Sequence, residues 1–364
     1  MLSRKLPQPL VKQYPNVLEI LNFNFERWYF ELTKLANHNE KFQGFWAQNV
    51  TSIVVSEEEM INIVEIHHKV HRALDKNQQG SDFNTLLQES LDCWLWSLKK
   101  KLDPVFLEND QPHNTKLYYF TRLGTRSPKD CRGGIPEIFM TSQVVKLLIE
   151  SDRVFKDIHL YLDNRELLKE HNCYELVLHL VPFRTFQKEN ELRCFFFKKT
   201  LVAITQYDLQ LRYPFKSQEY QCVYLLQRLM TMCNGELKQT IPYENFVMDV
   251  EISVESNSVY IIEFNPYGKN GTTSPVLFDW IKDEDILYPP LLDGDKDETK
   301  LDVIIRFRHE LQSRTEQVVV PPLSEQDLQS ITLTPFSLKT TGNKESVQTV
   351  NLGNGNADSW LSYM

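Results

Sequence analysis

The chain has 364 residues, 40 Lys+Arg against 49 Asp+Glu, a net charge of −9 and 41% hydrophobic residues, a globular composition that the acidic balance sets against general nucleic-acid binding. No run approaches the ~20 apolar residues of a membrane span, and the start MLSRKLPQPLVKQYP lacks an apolar signal core, so a soluble cytoplasmic protein is expected; the expected oligomeric state is a monomer. Twelve glycines are about 3% of the chain against a usual ~7%; neither G-x-G-x-x-G nor G-x-x-x-x-G-K-[ST] occurs, which argues against a Rossmann site or a P-loop.

At ~150 residues per domain the length suggests two domains or one large unit with additions. Residues 16–36 carry large apolar side chains at helical spacing and read as one buried helix. TSIVVS at 51–56 reads as a strand, and Ser56 with Glu59 forms a capping box that opens a helix to about Leu74. KNQQGSDF at 76–83 reads as a linker, and residues 84–102 as a helix ended by Pro104. From 116 the pattern turns to strands at LYYF (117–120), YELVLHLV (174–181), LRCFFFKK (192–199) and LVAITQ (201–206), interrupted by helices over 141–150 and about 217–233. NFVMDVEI (245–252) and SVYIIEFN (258–265) read as an antiparallel hairpin, LDVIIRFRHEL (301–311) as one more element, and the polar end as a mobile tail. The expected organisation is an N-terminal α+β part (1–115), a core (116–290), an extension (291–340) and a flexible tail (341–364). The six cysteines lack a C-x-x-C pair and read as reduced core thiols.

Three segments can carry chemistry. In the hairpin, Glu263 and Asn265 are two apart and share a strand face; a three-residue turn at Glu255–Asn257 places Asp249 opposite Glu263. Two carboxylates and an amide oxygen then converge as hard ligands suited to Mg²⁺ held with phosphates, or else form a polar strand face. TRLGTRSPKDCRGG (121–134) offers Arg122, Arg126, Lys129 and Arg132 with Gly133-Gly134 on a loop leaving a strand, a phosphate grip or a solvated basic loop. In ENELRCFFF, Glu191 and Arg193 share a face, and an arginine in so apolar a strand needs a carboxylate or a phosphate as partner. Two decoys are set aside. HHKVH places His67 and His71 at i, i+4, a spacing that can bind zinc but with no third ligand nearby, and DGDKDE (293–298) breaks the EF-hand pattern. The aromatic residues of 22–46 read as core or as a hydrophobic partner groove.

In order, SPKD (127–130), LVL (176–178), ELRCF (191–195), AITQYD (203–208), FVMDV (246–250) and IIEFNPYG (261–268) resemble the cell-division-cycle protein 123 family over about Phe23 to Leu287. The resemblance implies an α+β, ATP-grasp-like fold, two α/β subdomains with mostly antiparallel sheets clamping a nucleotide. It also implies ATP and Mg²⁺ as cofactors, and an assembly chaperone acting on translation initiation factor 2 through its gamma subunit. By position it places Arg122, Lys129, Asp130, Gly133, Arg193 and Asp208 at ATP, the backbone of His179, Leu180 and Val181 at adenine, and Asp249, Glu263 and Asn265 at the metal. Asp249 and Glu263 count among the ATP residues too. The departures mark a divergent member: Arg122 replaces a lysine, Glu263 an aspartate, LVLHLV stands for L-V-L-R-K-W and TQYD for S-Q-R-D. An ATP-grasp ligase, a kinase-like phosphotransferase and a scaffold that has lost ATP remain alternatives.

Overall fold

The computed structural model describes residues 17–75, 85, 88–107, 117–131, 137–269, 273–290, 301–308 and 314–335. The linker at 76–83, Gly133-Gly134, the acidic loop at 293–298 and the 341–364 tail lie outside these residues. Within them the chain is mixed α+β with two sheets. Strands β1 (Thr51–Val55), β2 (Tyr119–Leu123) and β3 (Leu176–Pro182) form an antiparallel sheet in the order β1-β3-β2. Strands β4 (Glu191–Phe197), β5 (Thr200–Gln206), β6 (Phe246–Ser253), β7 (Ser258–Asn265), β8 (Val303–Phe307) and β9 (Glu316–Val320) form a sheet in the order β7-β6-β4-β5-β8-β9, antiparallel except at β5–β8.

The helices follow the apolar pattern, with informative differences. The segment expected as one helix is two, α1 (Val17–Asn22) and α2 (Phe25–His38). The break falls at Asn24, which is buried in extended backbone and donates its amide to the Tyr161 hydroxyl at 2.8 Å. Here the Phe25 N–H bonds the Gly124 carbonyl at 2.8 Å, and a Cβ on Gly124 would stand 2.7 Å from Glu26 Oε2, so any larger residue would displace the Glu26 carboxylate. The capping box forms as expected: Glu59 N–H donates to Ser56 Oγ and Ser56 N–H to Glu59 Oε2, opening α3 (Glu57–Asp75). Pro104 does not end its helix. After a π-turn at Ser90–Trp94, α4 (Trp96–Leu107) runs through the proline because Leu102 and Phe106 bury the same face on either side of it. Helices α5 (Thr141–Glu150), α6 (Asp152–Asp163) and α7 (Arg165–Glu170) cover the small sheet with α3, and α8 (Glu219–Thr240) packs on the large one with α10 (Glu325–Ser330); α9 is the single turn Glu284–Leu287.

Two main cores result. One gathers α2, α8 and the inner face of the large sheet; the other gathers α1, α3–α6 and the small sheet. The first 115 residues enter both, since Leu21 of α1 lies in the second and Phe25 and Trp28 of α2 in the first. The aromatic residues of 22–46 are core in the main: Trp28, Phe42, Phe45 and Trp46 are almost fully buried. Of the cysteines described, all free, Cys131, Cys194 and Cys222 are core, whereas Cys93 is exposed because it sits on the outer side of the π-turn. Among the described residues no helix is long and apolar enough to cross a membrane.

Candidate functional site

Arg193 of β4, Asp249 of β6 and Glu263 of β7 are direct cross-strand neighbours, so three charged residues form one row across the large sheet. Asp249 is fully buried and Arg193 nearly so. Arg193 donates Nε to Asp249 Oδ1 at 2.8 Å and Nη2 to Oδ2 at 2.7 Å, a fork that compensates both buried charges. Its remaining nitrogen donates to the Ser274 carbonyl at 2.7 Å. Asn265, two residues beyond Glu263, donates Nδ2 to Asp249 Oδ2 at 3.0 Å.

The expected pairing of Asp249 with Glu263 holds, but by another route. Ser253 pairs with Ser258, so the turn has four residues, Val254–Asn257, not three. A bulge then admits Ile262 as an extra residue between Ile261 (opposite Val250) and Glu263 (opposite Asp249). Without it Asp249 would face Ile262, and Glu263 would leave the row.

The small sheet completes the cluster. β2 begins and ends later than LYYF suggested, which places Arg122 on a strand and not on the following loop. The reason is pairing with β3, which continues to Leu123 opposite Leu178. Buried Arg122 reaches across to Glu263 Oε2 at 3.3 Å, its guanidinium over the Phe25 ring at 4.9 Å. The Lys129 ammonium and the Arg193 guanidinium lie over the Tyr207 ring at 5.7 and 4.8 Å.

Electrostatics bind these groups together. Burial would raise the Glu263 carboxyl, but Lys129, Arg122 and Arg193 outweigh it and hold it at about 2. Burial also works against the Lys129 charge, yet Glu263, Tyr207, Glu191 and Asp249 keep its ammonium above the usual value. Burial pushes the Asp249 carboxyl up, with Arg193 opposing. Glu191 is half-buried, and its desolvation together with the nearby Asp249 charge pushes its carboxyl up to about 8, which favours the protonated form at neutral pH. Three cations therefore face two carboxylates even when both are ionised. The surplus is positive, which suits an anion.

The other expected residues separate. Asp130 accepts from Ser151 Oγ at 2.6 Å and the Arg153 N–H at 3.0 Å, tying the SPKD loop to the start of α6. Asp208 accepts from the Gln210 N–H at 2.8 Å within its own turn. His179 is fully buried; one ring nitrogen meets Glu26 Oε2 at 3.0 Å, the other Ser52 Oγ at 2.9 Å. Its burial lowers its pKa, with Glu26 opposing. His179 and Leu180 lie between β1 and β2, whereas Val181 pairs only with Phe120. Gly133 is outside the described residues.

Asp249, Glu263 and Asn265 supply the hard donor set that Mg²⁺ prefers. Both Asp249 oxygens are bonded to Arg193, and Asn265 turns its amide nitrogen to Asp249. Glu263 is thus the donor best placed for a cation, with Asp249 available only by loosening its arginine fork. Tyr207 was missed: its residue type reads as a lost arginine, yet its ring is the platform for two cations. Pairing of Arg193 with Thr205 and strand alternation would have placed it on this face.

Residues 120–328 match the D123 family. The chain belongs to that family. Among relatives of the D123 chain, the translation initiation factor eIF2 assembly protein of Aspergillus oryzae is 27% identical over 148 residues, 39% of this chain and 34% of that one. The cell division cycle protein 123 of Phaeosphaeria nodorum is 28% identical over 161 residues, 43% and 40% of the two chains. Each match thus spans well under half of the relative's own length. The structure of Cdc123 from Schizosaccharomyces pombe aligns with a TM-score of 0.50 at 19% identity, covering 75% of this chain and 94% of that one, and so shares the α+β fold with antiparallel-rich sheets. This chain is a divergent D123 member.

Proposed function

We propose that this protein binds Mg-ATP where its two sheets meet, in the manner of an ATP-grasp clamp, and serves as an assembly factor for translation initiation factor 2 through the gamma subunit. The observation that carries the nucleotide reading is the meeting of Arg122 from the small sheet, Arg193 from the large sheet and Lys129 from the SPKD loop around the carboxylates of Asp249 and Glu263. A polyphosphate would balance the surplus, and bound Mg²⁺ would supply charge shared between phosphate oxygens and Glu263. Arg122 and Arg193 are positioned by the sheets and Lys129 by the SPKD loop, which Asp130 anchors to α6. The partner reading rests on the relatives, several of which are named as eIF2 assembly proteins.

Calorimetric titration with ATP, with and without Mg²⁺, tests the site. Binding weakened at least about tenfold is expected in Lys129→Ala, a residue on a loop outside the strands, with an unchanged Tm verifying the fold; charge-assisted bonds of ~1.5–3 kcal/mol set that size. Absence of ATP binding in the parent chain rejects the nucleotide reading and leaves the scaffold that has lost ATP. Co-purification with the isolated gamma subunit tests the partner separately. An enzymatic reading has one observation in its favour, the protonated Glu191 beside Asp249 and Lys129, a group able to exchange a proton near neutral pH. ATP consumption that requires Glu191 would establish it.

A further inference from the structure

Outside this cluster, the fold assembles a second set of polar groups that sequence spacing alone left incomplete. His67 and His71 stand one turn apart on α3, and no third ligand adjoins them in the chain. Packing of α3 against the start of α6 supplies one, because Asp152 Oδ1 lies 3.5 Å from His67 Nε2 and 3.8 Å from His71 Nε2. The three donor atoms all fall within 4.8 Å of one another. A tetrahedral ion with bonds of ~2.0–2.1 Å sets its ligands ~3.3–3.4 Å apart, so small side-chain movements would bring all three into range.

The surroundings fit that use. His67 Nδ1 lies 2.8 Å from the Ile149 carbonyl, so it carries the proton and donates it, leaving the Nε2 lone pair aimed at Asp152. That bond to a main-chain oxygen is the usual outer support of a metal-binding histidine. His71 Nε2 is buried from solvent and makes no hydrogen bond among the described residues, a polar atom without a partner at this spot. The Phe155 ring stacks on His67 at 4.4 Å and closes one side. Asp152 is exposed, which leaves an entry path and a fourth position for water.

We infer that His67, His71 and Asp152 form a binding site for a divalent transition-metal ion of the zinc class, joining α3 to α6. Two imidazoles and one carboxylate favour zinc, cobalt or nickel over magnesium and calcium, which prefer all-oxygen sets. The ion would clasp two helices of the small-sheet core, and it stands apart from Asp249 and Glu263.

The test uses the full chain, freed of any histidine tag, stripped with a chelator and titrated with Zn²⁺ against a chromophoric competitor, then with Co²⁺ followed by its visible absorption. About one equivalent of Zn²⁺ is expected, with the Co²⁺ spectrum of a low-coordinate nitrogen–oxygen site and a rise in Tm on adding metal. His71→Ala and Asp152→Asn each are expected to weaken binding at least tenfold, since loss of even outer-shell supports costs about 10–100-fold. Both positions are accessible enough to change without unfolding the chain, and an unchanged Tm of the stripped variants verifies it. His68→Ala, on the neighbouring exposed face of α3, is expected to retain full binding. Failure of the parent chain to bind Zn²⁺ at micromolar concentration overturns the inference, as does an equivalent that survives in both ligand variants.

Discussion

Arg193 and Asp249 meet as a bidentate pair with almost no solvent contact, and each is costly without the other. Arg193→Ala leaves Asp249 buried and unpaired, and is expected to destabilise the fold by about 3–5 kcal/mol. The double change with Asp249→Ala should cost less than the sum of the singles, and chemical denaturation of all four chains of the cycle checks it. Glu191 makes a pH prediction. Its carboxyl is raised from 4.5 to about 8, so between those values the folded state keeps a proton that the unfolded chain releases. Its contribution therefore makes stability fall as pH rises across that window. Glu191→Gln removes that fall, and midpoint denaturant concentrations measured across the window should diverge in favour of the variant as pH increases. At this scale the sequence was informative where a charge interrupts an apolar run, as at Asp249 and Arg193. It was silent on Tyr207, an aromatic residue with no mark of its role until the neighbouring strand is laid beside it.

At the scale of elements, patterns that act locally were legible. The capping box of α3 could be read because its partners are three residues apart, and both hydrogen bonds form. Ser56→Ala is expected to cost about 1 kcal/mol, seen as a lowered Tm without loss of helix content. The break at Asn24 and the passage through Pro104 were not legible, because each is decided by tertiary partners: Tyr161 and Gly124 for the first, the burial of Leu102 and Phe106 for the second. The hairpin shows an intermediate case. The pair Asp249–Glu263 was correct, but a longer turn and the Ile262 bulge produce it together, and period-two alternation cannot register an inserted residue. Regular pairing that kept Ile262 in the ladder would set it opposite Asp249 and move Glu263 out of the row.

At the scale of the molecule, the two sheets were readable as a class of fold but not as a contact. Arg122 and Glu263 are separated by 141 residues and belong to different sheets, so no spacing rule brings them together. Likewise Asp130 and Asp208 share motifs with the cluster but turn to α6 and to a local turn, since a short carboxylate is captured by the nearest main-chain N–H. Only the six ordered segments taken together indicated where the cluster would lie.

The surplus of cations in that cluster stands inside a chain whose overall charge is −9. The molecule is thus polarised inward, repelling an anion at a distance and attracting it at contact. Beyond about 8 Å, the screening length in physiological salt, an approaching anion meets the repulsion only through a weakened field. Added salt thins that outer barrier more than it weakens the buried attraction. Arrival of a small polyanion should therefore quicken as ionic strength rises while departure changes less, a pattern that stopped-flow traces at several salt concentrations would resolve, and the opposite of the slowing expected for a protein positive throughout.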